Sequence, residues 1–78
     1  MAGQVTRAGM ERWLLANGFV QRKGGKTSHV QFTGHGVLIT LPGHGPPDLT
    51  KKHVGMIVRQ LERAGFPRER VLGELRGA

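Results

Sequence analysis

The sequence predicts an α+β fold, in which two helices flank three short strands and a short helix follows. Apolar residues recur at helical spacing in residues 10–14 and 54–61, and alternate with polar ones in 28–33 and 37–41. Glycines and prolines separate these segments. Because strands joined by tight turns pair antiparallel, we expect an α-β-β-β-α order, with two helices covering one face of a three-stranded antiparallel sheet. The length fits a single domain over residues 1–78, with 1–5 as a loose leader.

The first helix is predicted to begin after Thr6, a good N-cap residue, and to run to about Asn17. Gly18 then suits the left-handed position that follows many helices. The residues expected to face the core share the spacing i, i+3, i+4: Met10, Trp13 and Leu14.

Three strands are predicted, at residues 19–23, 28–33 and 37–41. "TGHG" at 33–36 is expected to turn the chain between the last two, with Gly34 and Gly36 in unusual backbone conformations. Because side chains alternate along a strand, the residues of these strands fall on two opposite faces of the sheet. Those expected to face the helices are Val30, Phe32, Val37, Ile39 and Leu41. Those expected on the open face are His29, Gln31, Leu38 and Thr40.

After a loop at residues 42–48, Thr50 is predicted to cap a second helix that runs to about Ala64, where Gly65 ends it. Pro67 suits the first turn of the short last helix. The apolar positions are Val54, Ile57, Val58 and Leu61 in the second helix, and Val71, Leu72 and Leu75 in the last.

Charge is the most informative total. Twelve Lys and Arg against five Asp and Glu give a net charge of +7, and such an excess in a small domain favours a polyanionic partner, most often nucleic acid. The absence of cysteine excludes disulfides and thiolate metal sites. No apolar run is long enough to span a bilayer, and no export signal is visible. We therefore expect a cytoplasmic protein without membrane contact.

Four stretches, taken in their order and spacing, resemble the HicA family of toxins, which are mRNA interferases of bacterial type II toxin–antitoxin pairs. They are "GF" at 18–19, "KGGKTSH" at 23–29, "VLITLPGHG" at 37–45 and "LTKKHVGMIVRQLERAGF" at 49–66. The resemblance covers about residues 10–75, and no single motif is specific. Thr27 departs from the family, which usually has glycine before Ser-His, and its β-branch restricts the backbone there.

The resemblance implies a fold like the double-stranded RNA-binding domain and an endoribonuclease that cuts mRNA. It implies that His29 is the catalytic residue and that His44 matches the family's second histidine position. It also implies a HicB-like antitoxin, which we expect to cover the open sheet face with Leu38 as a small apolar anchor. No cofactor is implied.

The residues themselves suit this chemistry, because an imidazole takes and gives protons near neutral pH. We expect Lys23 and Lys26 to stabilise charge on a reacting phosphate. Lys51 and Lys52 oppose the dipole of the second helix, which makes sense where phosphate binds. RNA binding is thus assigned to Lys23, Lys26, His44, Lys51 and Lys52. No metal site is expected, because no histidine pair has ligand spacing.

The two other histidines receive no chemical role. His35 is expected to be exposed to solvent, and His53 to contact solvent or phosphate. Two alternatives to the toxin also stay open. A non-catalytic RNA-binding module of the same fold explains the charge but not the Ser-His pair. A protein-binding adaptor leaves the charge of +7 unexplained.

Overall fold

The computed structural model describes residues 5–22, 29–43 and 47–77. Its elements are α1 (Arg7–Ala16), β1 (Val20–Arg22), β2 (Val30–Gly34), β3 (Val37–Leu41), α2 (Lys51–Arg63) and α3 (Arg68–Gly77). The predicted class and order of elements are therefore confirmed.

The three strands form one antiparallel sheet in the order β1-β2-β3. Val30 pairs with Leu41 and Phe32 with Ile39, while Val20 of β1 pairs with Thr33. The sheet thus has a hairpin end, where β2 turns into β3, and an opposite end, where β2 begins and β3 ends. We call the latter the His29 end, because His29 directly precedes β2.

The turn between β2 and β3 corrects one prediction. His35 and Gly36 have positive φ angles of 50° and 80°, and Gly34 does not, because two-residue hairpin turns place positive φ at their two central residues. Gly34 is needed for space instead, since a Cβ there would lie 3.0 Å from Cδ2 of Phe19.

The core lies between the sheet and the helices. Phe32, Ile39 and Leu41 are fully buried, as expected for the helix side of the sheet, and Val30 and Val37 are partly buried against them. The expected apolar faces of α1 and α2 are buried as well, through Met10, Trp13, Leu14, Ile57, Val58 and Leu61. Val54 is partly buried.

The last helix closes the core by packing on both α1 and α2. It has ten residues, as α1 does, and is the short C-terminal helix that the sequence predicts. Pro67 precedes its first residue, and the Pro67 carbonyl accepts a hydrogen bond from Val71 N at 3.0 Å. Nε1 of the buried Trp13 donates to Oε1 of Glu74 at 2.8 Å, which joins α1 to α3.

The segment before α2 is tied to the start of α1. Leu49 N donates to the Val5 carbonyl, and Arg7 N to the Pro47 carbonyl, both at 2.8 Å. Val5 is only 4% exposed, so the expected loose leader does not include it, and residues 1–4 lie outside the described ranges. None of the described helices is long and apolar enough to cross a membrane.

Candidate nucleic-acid interface

His29 lies at the boundary between the 23–28 segment and β2, and it is exposed as predicted. Val30 and Phe32 face the helices, so the alternation of side chains directs His29 to the open face. Among the described residues, no side chain or backbone group forms a hydrogen bond with its imidazole. No described residue thus competes with a ligand for the ring, and its catalytic role stays a prediction.

Arg22 of β1 is a site residue that the sequence reasoning missed. It is exposed and pairs directly with Gln31, two residues after His29. A regular antiparallel ladder places such diagonal neighbours about 7–8 Å apart, within reach of a long side chain. A guanidinium there can hold phosphate bidentately beside the imidazole. The sequence signal was the buried Phe19, which fixes the parity of β1 and turns Arg22 to the open face.

The start of α2 is built around Thr50, whose Oγ1 accepts a hydrogen bond from His53 N at 3.1 Å. Lys51 and Lys52 are both exposed in the first turn, which contains no acidic residue. Cations there cost roughly 0.3–1 kcal/mol against the helix dipole. An anion bound by the lysines and the free backbone N–H groups offsets that cost.

His53 holds this helix start against the sheet. Its Nε2 lies 3.2 Å from the carbonyl oxygen of Thr40, and since a carbonyl only accepts, Nε2 carries the hydrogen. His53 is half-buried, so it keeps part of the expected solvent contact while its ring bonds the backbone of β3; contact with phosphate stays a prediction.

This bond places the start of α2 at the same end of the sheet as His29. Thr40 pairs with Gln31, and Leu41 with Val30, so the end of β3 lies beside the start of β2. His53 fastens α2 at that point, two residues after Lys51. The His29 end therefore combines His29, Arg22 and the two lysines of α2.

Three predicted RNA-binding residues, Lys23, Lys26 and His44, lie outside the described residues, as does Thr27. Within the part of the chain that the structure describes, no group of three His, Cys, Asp or Glu side chains could hold a metal ion.

His35, at the hairpin end, differs from the expectation of a solvent-exposed ring without a task. The residue is exposed, but its Nε2 donates to the Asn17 carbonyl at 2.8 Å. Its ring centroid lies 5.2 Å from that of Phe19 and 5.0 Å from that of Phe66. These contacts join the hairpin to the end of α1 and give His35 a structural role.

Comparison with known proteins found no similar one: no family model matches the chain, and no curated protein or solved structure matches it. The likeness to HicA toxins therefore rests on the sequence motifs.

Proposed function

We propose that the protein is the toxin of a type II toxin–antitoxin pair, a cytoplasmic endoribonuclease that cuts mRNA with His29 as its general acid/base residue, acting as the base in the cleavage step. The observation that carries the proposal is the exposed His29 at the start of β2, diagonal to Arg22 and at the sheet end where α2 presents Lys51 and Lys52. The net charge of +7 suits a polyanionic substrate.

The reaction needs only groups of this kind. His29 in its neutral form takes the proton of a ribose 2′-OH, and the oxygen attacks the adjacent phosphorus. The bond from phosphorus to the 5′ oxygen then breaks, and that oxygen takes a proton from a lysine ammonium or from water. The products are a 2′,3′-cyclic phosphate and a 5′-hydroxyl end.

Arg22, Lys51 and Lys52 act on the phosphate groups of the RNA. Arg22 is placed to stabilise the negative charge that develops on the phosphate oxygens as phosphorus becomes five-coordinate. Lys51 and Lys52 bind a neighbouring phosphate at the start of α2. The proposal keeps Lys23, Lys26 and His44 as further RNA contacts.

The open face also offers a surface for the antitoxin. Val20 and Leu38 are 63% and 41% exposed, and each is the direct partner of Thr33. With Thr33 between them, they form a row across all three strands near the hairpin end. A HicB-like antitoxin that also blocks access to His29 would cover the open face from this row to the His29 end.

The test is induced expression in bacteria, with growth and mRNA cleavage followed for the wild type, His29→Ala and Gln31→Ala. Gln31 is the matched control, since it lies on the same strand and face two residues away. The wild type and Gln31→Ala should arrest growth and leave mRNA fragments with 5′-hydroxyl ends, and His29→Ala should do neither. Cleavage by His29→Ala contradicts the proposal.

One observation favours a non-catalytic RNA-binding module instead: no described side chain orients the His29 ring, whereas catalytic bases are usually held by a third group. On that reading the purified wild type binds RNA and never cuts it. Binding without cleavage, with and without ribosomes, would establish the alternative.

A further inference from the structure

The solvent side of α2 carries a basic ridge, of which the proposed active site uses only the first residue, Lys52. At 3.6 residues per turn, successive residues are about 100° apart around a helix. Lys52, Met56, Arg59 and Arg63 then fall within about 60° of one another, opposite the buried Ile57, Val58 and Leu61. All four are exposed, Met56 by 56%. We call these four residues the α2 ridge.

The cations of the α2 ridge have no counter-ions in the described parts of the chain. Glu62 is the one acidic residue of α2, and its Oε1 lies 3.8 Å from Nη1 of Arg68 at the start of α3. Lys52, Arg59 and Arg63 form no described ion pair. The ridge therefore presents three unneutralised cations over about 16 Å, at a rise of about 1.5 Å per residue.

Helix stability does not explain this arrangement. Arg63 lies in the last turn of α2, where a cation is favourable, but Lys52 lies in the first turn, where it is not. Arg59 lies between them and gains little from either end. A ligand that attracts all three cations accounts for the pattern better.

The α2 ridge faces away from the sheet, whereas His29 faces the open side, so a short RNA at His29 reaches no further along the ridge than Lys52. The ridge begins at Lys52, however, in the turn that His53 fastens to β3 at the His29 end. A longer strand can leave the site, pass the start of α2 and continue along the helix.

We propose that the α2 ridge is a second RNA-binding surface, which contacts phosphates and makes the protein bind long RNA more tightly than short RNA. This rests on the proposed function for RNA as the ligand, and not on cleavage. A membrane is a poorer fit, because the apolar face of α2 is buried in the core and Met56 alone is left to insert. A protein partner is also a poorer fit, because interface centres are depleted of charge.

The experiment measures RNA affinity in the non-cutting His29→Ala background. Arg59→Gln with Arg63→Gln tests the ridge, and Arg12→Gln with Arg76→Gln is the control. The control removes two exposed arginines of α1 and α3, so the change of net charge is equal. The probes are single-stranded RNAs of about 8 and about 30 nucleotides, where the shorter is near the site size of one small domain.

The ridge variant should bind the long probe about 10- to 30-fold more weakly in roughly 0.1 M salt, since each phosphate contact contributes about 0.7 to the salt slope. The slope itself should fall by about 1.4. Affinity for the short probe should change less than about twofold, and the control should keep the long-probe affinity within a similar factor.

Equal losses of long-probe affinity in the ridge and control variants would overturn the inference. So would a ridge variant that loses affinity equally for the short and the long probe. The inference also fails if the parent protein does not bind the long probe at all. Arg59→Gln alone is the second ridge variant, because it leaves the favourable Arg63 in place should the first pair unfold the helix. Cleavage is assayed separately with His29 intact. An RNA that is bound and never cut removes the proposed enzyme but keeps the ridge.

Discussion

The two ends of the sheet hold their histidines in opposite ways. At the hairpin end, His35 donates to the Asn17 carbonyl and packs between Phe19 and Phe66. At the His29 end, the imidazole of His29 forms no hydrogen bond with any described residue. His35 is therefore part of the fold, whereas no described residue holds the ring of His29.

Two glycines show how closely the hairpin end is packed. A Cβ on Gly18 would lie 3.2 Å from Nε2 of His35, and one on Gly34 would lie 3.0 Å from the Phe19 ring. The hairpin end is thus packed so closely that a side chain at either position would push on its neighbours. At the His29 end the close contact is made by His53, which fastens the start of α2 without burying the lysines. This contrast predicts that substitutions at the hairpin end mainly lower stability, and that substitutions at the His29 end mainly lower RNA binding and cleavage.

The largest effect on stability is expected from Phe19→Ala. Phe19 is 3% exposed and its ring contacts those of His35 and Phe66. Its removal should lower the free energy of unfolding by about 3–5 kcal/mol, through lost burial and a cavity. Urea unfolding followed by Trp13 fluorescence measures this. A loss below about 1 kcal/mol would show that the hairpin end is not closely packed.

His35→Ala should come next. It loses the bond to Asn17 and the contacts with two phenyl rings, together about 1–2 kcal/mol of stability. The matched variant His29→Ala should change stability by less than about 0.5 kcal/mol. Equal destabilisation by both substitutions contradicts the contrast between the two ends.

His53→Ala should cost about 1 kcal/mol, the net value of a typical hydrogen bond, because the Thr40 carbonyl loses its donor. It should also weaken RNA binding, since the lysines of α2 are no longer fixed against the sheet. His53→Gln keeps a donor in the side chain and should recover part of both losses. If His53→Ala binds RNA as tightly as the wild type, the start of α2 is not part of the RNA-binding site.

The smallest expected effect is on the stability of the protein at acid pH. Hydrogen bonds from Trp13 and then Arg70 lower the pKa of Glu74 below its ordinary value of 4.5. Because the folded state holds this carboxyl ionised, its contribution to stability is present above about pH 4.5 and is lost as pH falls through the lowered pKa. Glu74→Gln should therefore lose less stability than the wild type between neutral pH and about pH 3. If Glu74→Gln and the wild type lose the same stability between neutral pH and about pH 3, the hydrogen bond from Trp13 to Glu74 is not maintained in solution.

Much of the fold could be predicted from the sequence because its signals are local. Thr6 and Thr50 accept hydrogen bonds from Gly9 N and His53 N, as N-caps do. Gly18 and Gly65 have φ angles of 90° and 103° after their helices. The alternation of β3 also assigns its apolar residues to the core. These features depend on neighbours in sequence, so a pattern suffices.

The site was harder to predict because its contacts join distant residues. His53 bonds a carbonyl thirteen residues away, and His35 one eighteen residues away, and neither bond leaves a pattern in the sequence. Arg22 acquires its position from the register between β1 and β2. The exposure of His29 followed from strand parity alone, which is why it could be predicted.

The most direct test of the account is the rate of RNA cleavage by purified wild type, His29→Ala and His35→Ala, each normalised to its folded fraction. The account predicts that His29→Ala loses about 10²–10⁴-fold in rate with unchanged stability, as expected for removal of a general acid–base group. His35→Ala should cut at the wild-type rate per folded molecule. Cleavage retained by His29→Ala, or lost by His35→Ala while it is folded, would contradict the assignment of chemistry to the His29 end.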